Sequence, residues 1–124
     1  MELVSVEKLN EMKQNGEKIL ADFYASWCGP CKMLLPKLEL LQEEYPNIKF
    51  VKVDVDSNRE GSMDYGVRSV PTVMIFNGDN EVSRTSGVRP DSFYKEILNP
   101  QQKLIISRCI RLPTSFAATA IMYF

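Results

Sequence analysis

The chain contains no histidine among its 124 residues. That absence excludes Ser–His and Cys–His catalysis and imidazole-ligated zinc within it. Cysteine is scarce: Cys28, Cys31 and Cys109 are the only three. They cannot build a four-thiolate zinc or iron–sulfur site without a carboxylate, another ligand or a second chain. No Gly-x-Gly-x-x-Gly run occurs, so nothing points to a bound dinucleotide. Charge of one sign is missing as well. Fifteen Lys plus Arg stand against 16 Asp plus Glu, a net charge of −1 that offers no broad pull towards nucleic acid. The opening Met1-Glu2-Leu3-Val4-Ser5-Val6-Glu7 has early acids and no long apolar run, so no secretory leader is expected. A cytoplasmic location follows as the default expectation. With 44% apolar and 25% charged residues, the chain has ordinary globular composition and the length of one domain with a core. Neither an internal repeat nor a low-complexity linker interrupts it.

What is there is the run Trp27-Cys28-Gly29-Pro30-Cys31-Lys32. Two thiols two residues apart, with a helix-opening Pro between them, suit dithiol–disulfide exchange. One cysteine attacks while the other waits within reach to release the product. A free thiol of pKa about 8.5 is mostly protonated near neutrality, and only the thiolate attacks well. At the N-terminus of a helix, unpaired amides and the helix dipole favour the anion. Cys28 is therefore read as the attacking thiol and Cys31, one turn in, as the resolving thiol. Lys32 is a nearby cation or simply a solvated side chain. The alternative, a buried inert pair or a metal clip, leaves the Gly-Pro and the flanking Trp without a purpose.

The surrounding pattern is α/β. Val6, Leu9 and Met12 fall on one helical face after a possible N-cap at Ser5 and before Gly16. Lys18 to Ala25 reads as a strand covered on both faces. Leu34, Leu38, Leu41 and Tyr45 mark an amphipathic helix lasting until Pro46, with Pro36 expected to kink it. Ile48 to Asp56 is a second strand and Asn58 to Tyr65 a weaker helix closed by Gly66. Val70 to Phe76 is a third strand. Asn77-Gly78-Asp79-Asn80 then turns into Glu81–Ser86, and Pro90 suits position N1 of a final helix over Asp91–Leu98. The order is β-α-β-α-β-β-α, preceded by the first helix-like segment and by either a short strand or none. The β-α-β part implies parallel pairing and the hairpin adds antiparallel strands.

These residues together resemble the thioredoxin family. The resemblance covers about residues 3 to 98. It rests on Ala21-Asp22-Phe23-Tyr24-Ala25, the Trp-Cys-Gly-Pro-Cys-Lys run, Pro36, Lys52-Val53-Asp54-Val55-Asp56 and Tyr65-Gly66-Val67-Arg68-Ser69-Val70-Pro71-Thr72, with Gly87 following. It implies a thioredoxin fold, a mixed four- or five-stranded sheet flanked by helices. Tyr24 stands where a Trp is common in the family.

Asp22 in an apolar strand is costly if buried, and it reads equally as an acid at a solvent-facing strand edge. The resemblance implies a buried acid beneath the resolving cysteine that takes its proton. Lys52 matches the family lysine near that acid, or else faces outward from its strand. Pro71 suits an edge strand or the first residue of one, since it lacks a ladder donor. The resemblance implies a cis Val70–Pro71 bond facing the motif, where an extended substrate pairs. Trp27, Pro30, Val70, Pro71, Gly87 and Val88 would then surround an exposed Cys28. Trp27 is otherwise a partly buried core aromatic.

The expected activity is protein-disulfide reduction by a Cys28–Cys31 couple, re-reduced by a thioredoxin reductase. No metal or cofactor, no nucleic acid and no membrane are expected, and a monomer is. A binding module with incidental redox chemistry, and an oxidising or isomerising enzyme, are the alternatives. Residues 1–99 form the expected thioredoxin domain, and 100–124 an atypical C-terminal tail. The apolar stretch from Phe116 to Phe124 is far too short to span a bilayer. The tail reads as a docked helix, a partner or membrane-surface contact, or a divergent segment without function. Cys109, the odd cysteine, is a thiol without a role or a site of oxidation or cross-linking.

Overall fold

The computed structural model describes residues 1–99. Cys109 and the tail expected over residues 100–124 lie outside them.

Ser5 has an extended backbone and its hydroxyl accepts the Lys8 N–H, which caps α1 (Val6–Gln14). Ahead of α1 lies the short β1 (Glu2–Leu3), and after it β2 (Lys18–Tyr24). Next come α2 (Gly29–Glu44), β3 (Lys49–Asp54), α3 (Arg59–Asp64), β4 (Thr72–Asn77) and β5 (Asn80–Ser86). The strands form one five-stranded sheet in the order β1-β3-β2-β4-β5. β3 pairs in parallel with β1 and β2, whereas β4 is antiparallel to β2 and β5. This is the expected mixed sheet flanked by helices.

The period-2 alternation of β2 and β3 sorts their side chains between two faces. Ile19, Ala21, Phe23, Val51 and Val53 join Val6, Leu9 and Met12 of α1 in one buried cluster with Met74 and Phe76. Leu20, Asp22 and Tyr24 therefore share the opposite face with Phe50, Lys52 and Asp54. α2 buries Leu34, Leu38 and Leu41 and continues through Pro36, whose apolar stripe holds the helix together despite one missing N–H.

Several boundaries differ by one or two residues from the pattern-based reading: β2 ends at Tyr24 rather than Ala25, β3 is Lys49–Asp54 within the expected Ile48 to Asp56, α3 is Arg59–Asp64 within Asn58 to Tyr65, and β5 starts at Asn80 rather than Glu81. Two further differences involve prolines. β4 starts at Thr72 rather than Val70, because Pro71 has no N–H to give a ladder. Pro90 is the N-cap, not N1, of α4 (Asp91–Leu98), since its ψ of 157° keeps it extended. Contacts divide the chain after Val88, and α4 is the described part of the unit beginning at Arg89. Within that unit the Arg89 guanidinium lies 5.5 Å from the centre of the Phe93 ring.

The packing of α1 on α3 hangs on one glycine. A Cβ at Gly61 would lie 2.7 Å from Cβ of Val6, a branched, buried side chain that cannot swing aside. Gly61→Ala is expected to lower stability by about 1–2 kcal/mol, overpacking outweighing the gain in helix propensity. Urea unfolding checks this, and an unchanged or raised midpoint would refute it.

Candidate active site around the Cys28–Cys31 disulfide

β2 ends at Tyr24 and the chain turns through Ala25, whose carbonyl accepts the Cys28 N–H at 3.1 Å. Cys28 is the N-cap of α2, with φ −90° and ψ 115°. Its sulfur accepts the Cys31 N–H at 3.2 Å, the bond an N-cap side chain makes with an otherwise unpaired donor. The same two cysteines are joined as a disulfide with their Cα atoms 5.3 Å apart. Gly29 and Pro30 are the first helical residues, where a proline costs no hydrogen bond. Lys32 is exposed, and its N–H donates to the Cys28 carbonyl at 3.4 Å.

Cys28 is 4% exposed, not the open thiol expected. Its sulfur is turned onto Cys31, and Ala25 joins the pair in a small cluster against which Tyr24, Val55 and Val70 pack. Trp27 does the reverse. It is 69% exposed, which overturns the core-aromatic alternative, and its indole N–H donates to Asp56 Oδ2 at 2.9 Å. Asp56 donates its own N–H to Asp54 Oδ1 at 2.9 Å.

Val70 reaches the cysteine cluster from the loop before β4, through a cis bond to Pro71. Pro71 is buried, and its carbonyl accepts the Gly87 N–H at 2.9 Å, which ties the end of β5 to this loop. Gly87 has φ +83°, and Val88 beside it is half-buried. Among the described residues, Val88 is not one of the side chains packed against the cysteine cluster.

Asp22 is fully buried, which removes the solvent-facing alternative. Neither carboxylate oxygen has a hydrogen-bond partner among the described residues. Burial pushes its pKa up to about 7, against the opposing pull of the Lys52 ammonium. Lys52 is the register partner of Asp22 across the parallel pair and is half-buried, so it is not simply a solvated outward side chain. Asp56 and Val55 also belong to the site, through the Trp27 indole and the cysteine cluster, and the sequence does not mark them as site residues. Their only signal was the Lys52–Asp56 run, which gives no sign that Asp56 meets an indole 29 positions earlier.

A disulfide at a helix N-terminus, with an amide aimed at one sulfur, is built to stabilise that sulfur as a thiolate after reduction. Among the described residues no cluster of three metal-ligating side chains occurs, and no helix is long and apolar enough to cross a membrane.

The family model described as Thioredoxin matches residues 2–99. The chain is 41% identical over 102 residues to a thioredoxin of Chlamydia trachomatis serovar D, covering 82% of this chain and 99% of the relative. It is 48% identical over 83 residues to a thioredoxin of Bacillus subtilis, covering 65% of this chain and 79% of the relative. Among solved structures, the X-ray structure of Fasciola hepatica thioredoxin is similar, with TM-score 0.69 and 37% identity. That likeness covers 80% of this chain and 98% of that protein.

Proposed function

The chain belongs to the thioredoxin family of thiol–disulfide oxidoreductases, and we propose that it works as a protein-disulfide reductase. The observation that carries this reading is the Cys28–Cys31 disulfide seated at the amino end of α2, with the Cys31 N–H on Cys28 sulfur.

In the proposed cycle, Cys28 thiolate attacks one sulfur of a substrate disulfide, and the other leaves as a thiolate. Asp22 takes the proton of Cys31, directly or through water. The new Cys31 thiolate attacks Cys28 sulfur, breaks the mixed disulfide and expels the second substrate thiol. Two substrate thiols and the Cys28–Cys31 disulfide remain, and a thioredoxin reductase returns the two electrons. The burial of Asp22 supports its role, since a carboxyl of pKa about 7 both accepts and returns a proton near neutrality. Lys52 tempers that pKa. Trp27, Gly29, Pro30 and Lys32 form the active-site loop. Val70, Pro71, Gly87 and Val88 form the docking edge, supported by the packing of Val70 on the cysteine cluster. We further place the protein in the cytoplasm as a monomeric carrier in electron transport and cell redox homeostasis.

The test is reduction of insulin disulfides with a reductase and pyridine nucleotide, or with dithiothreitol as donor. Wild type is expected to precipitate the insulin B chain, and Cys28→Ser is expected to fall to the uncatalysed rate. An inactive wild type with both donors would refute the proposal. Residues 1–99 are the proposed catalytic domain, so removing 100–124 is expected to leave turnover within about twofold, a surface-scale effect. A larger loss would assign the tail a part in activity.

A further inference from the structure

Behind the disulfide, four polar side chains form a block on one face of the sheet. Asp22 and Tyr24 stand two apart on β2, and their parallel partners Lys52 and Asp54 stand two apart on β3. The residues between them, Phe23 and Val53, belong to the core on the other face. Lys52 thus has an acid on either side. Asp22 lies across the strand pair and is fully buried; Asp54 lies further along β3 and is half-buried. The ammonium forms no ion pair with either among the described residues. It lies instead 5.8 Å from the centre of the Tyr24 ring, within the range of about 6 Å for a cation–π contact. Tyr24 is itself anchored, because it packs against the cysteine cluster.

We propose that Tyr24 is a positioning residue: its ring holds the Lys52 ammonium towards β2, the strand that carries Asp22, rather than along β3 towards Asp54. A cation is thereby kept near a buried carboxyl that has no hydrogen-bond partner. Released from the ring, a flexible four-carbon side chain would swing towards Asp54 and water, which solvate it better. Of the charged groups in this block, Lys52 is the one that pulls on the Asp22 carboxyl, while Asp54 bears on the Tyr24 hydroxyl. β4 offers Val73, which carries no charge. The aromatic ring, rather than the phenolic hydroxyl, does the holding.

This inference deepens the reading of Asp22 as proton acceptor and rests on it only for its consequence in turnover. The test is a carboxyl NMR titration of Asp22 in the oxidised full chain, which needs no substrate. Tyr24→Phe is expected to leave the midpoint unchanged. Tyr24→Leu is expected to raise it by about half a pH unit, roughly threefold in proton affinity, the scale of one cation–π contact. Lys52→Met is expected to raise it at least as far, and adding Tyr24→Leu to Lys52→Met should move it no further. An unmoved midpoint in Tyr24→Leu would overturn the proposal. So would a Tyr24→Leu shift that persists in full without Lys52, since burial alone would then explain it, or an equal shift in Tyr24→Phe. The pH profile of the resolving step in the same variants tests the proton-acceptor reading separately. A profile that ignores a moved Asp22 midpoint would refute that reading and leave the positioning role intact.

Discussion

Cys31→Ser is expected to turn the protein into a trap, covalently joined to whatever disulfide protein it has attacked. The substitution leaves the attacking half of the site intact. Cys28 keeps its place as N-cap of α2, and residue 31 still presents a backbone N–H to Cys28 sulfur, now as the donor from a serine. The thiolate of Cys28 is therefore still favoured by the helix terminus and still attacks. What is lost is the nucleophile that would break the mixed disulfide, since a serine hydroxyl does not attack sulfur under these conditions. Turnover should fall by about three orders of magnitude or more, as for removal of a member of a unit that acts together. The distinguishing result is the species that accumulates: a band or mass equal to the sum of protein and substrate, stable without reductant and released by dithiothreitol. Cys28→Ser should give the same loss of turnover and no such species. If the trapped species formed with Cys28→Ser and not with Cys31→Ser, the two roles would be reversed.

Which parts of this site were legible in the sequence follows from the range of the interaction concerned. The N-cap position of Cys28 and the helix behind it are local: a Pro at the second helical residue and leucines at 34, 38 and 41 specify them within one stretch of chain. The depth of Asp22 is not local. An acid in Ile19-Leu20-Ala21-Asp22-Phe23 is compatible with an edge strand, and only the placing of β2 between β3 and β4 removes it from water. Asp56 is further still from its partner Trp27, because their meeting requires the parallel register of β2 on β3 and the loop beyond. The burial of Cys28 is not legible in the sequence for a different reason. Motif spacing says which thiol attacks, but in the oxidised state the sulfur turns towards Cys31 and away from solvent. The shift of Pro90 from N1 to N-cap is a one-residue ambiguity inherent in proline, whose fixed φ suits either position.

Asp22→Asn is expected to stabilise the oxidised protein, and only at the high end of the pH range. The sign follows from linkage. Asp22 carries a pKa of about 7 when folded, raised from the usual 3.8 first by burial, with Lys52 pulling the other way. Between those two values the native state holds a proton that the unfolded chain has released. Stability must therefore decline as pH rises from about 4 to about 7, and the full penalty applies above that. Three pH units at 1.36 kcal/mol each place the penalty on the order of 4 kcal/mol. An asparagine keeps the shape and has no charge to bury, so the two proteins should be nearly equal at pH 4, diverge up to about pH 7 and stay a constant distance apart to pH 8.5. Trp27, the single tryptophan, reports urea unfolding in both. Parallel stability profiles across this range would refute the argument, because they would mean that the carboxyl titrates alike in both states. The same variant should also slow the resolving step, most of all near pH 7, where Cys31 gives up its proton unaided only rarely. Stability gained and turnover lost on one substitution, with the gain growing while the buried carboxyl keeps its proton and complete once it ionises, is the pattern of a buried acid kept for its proton chemistry rather than for the fold.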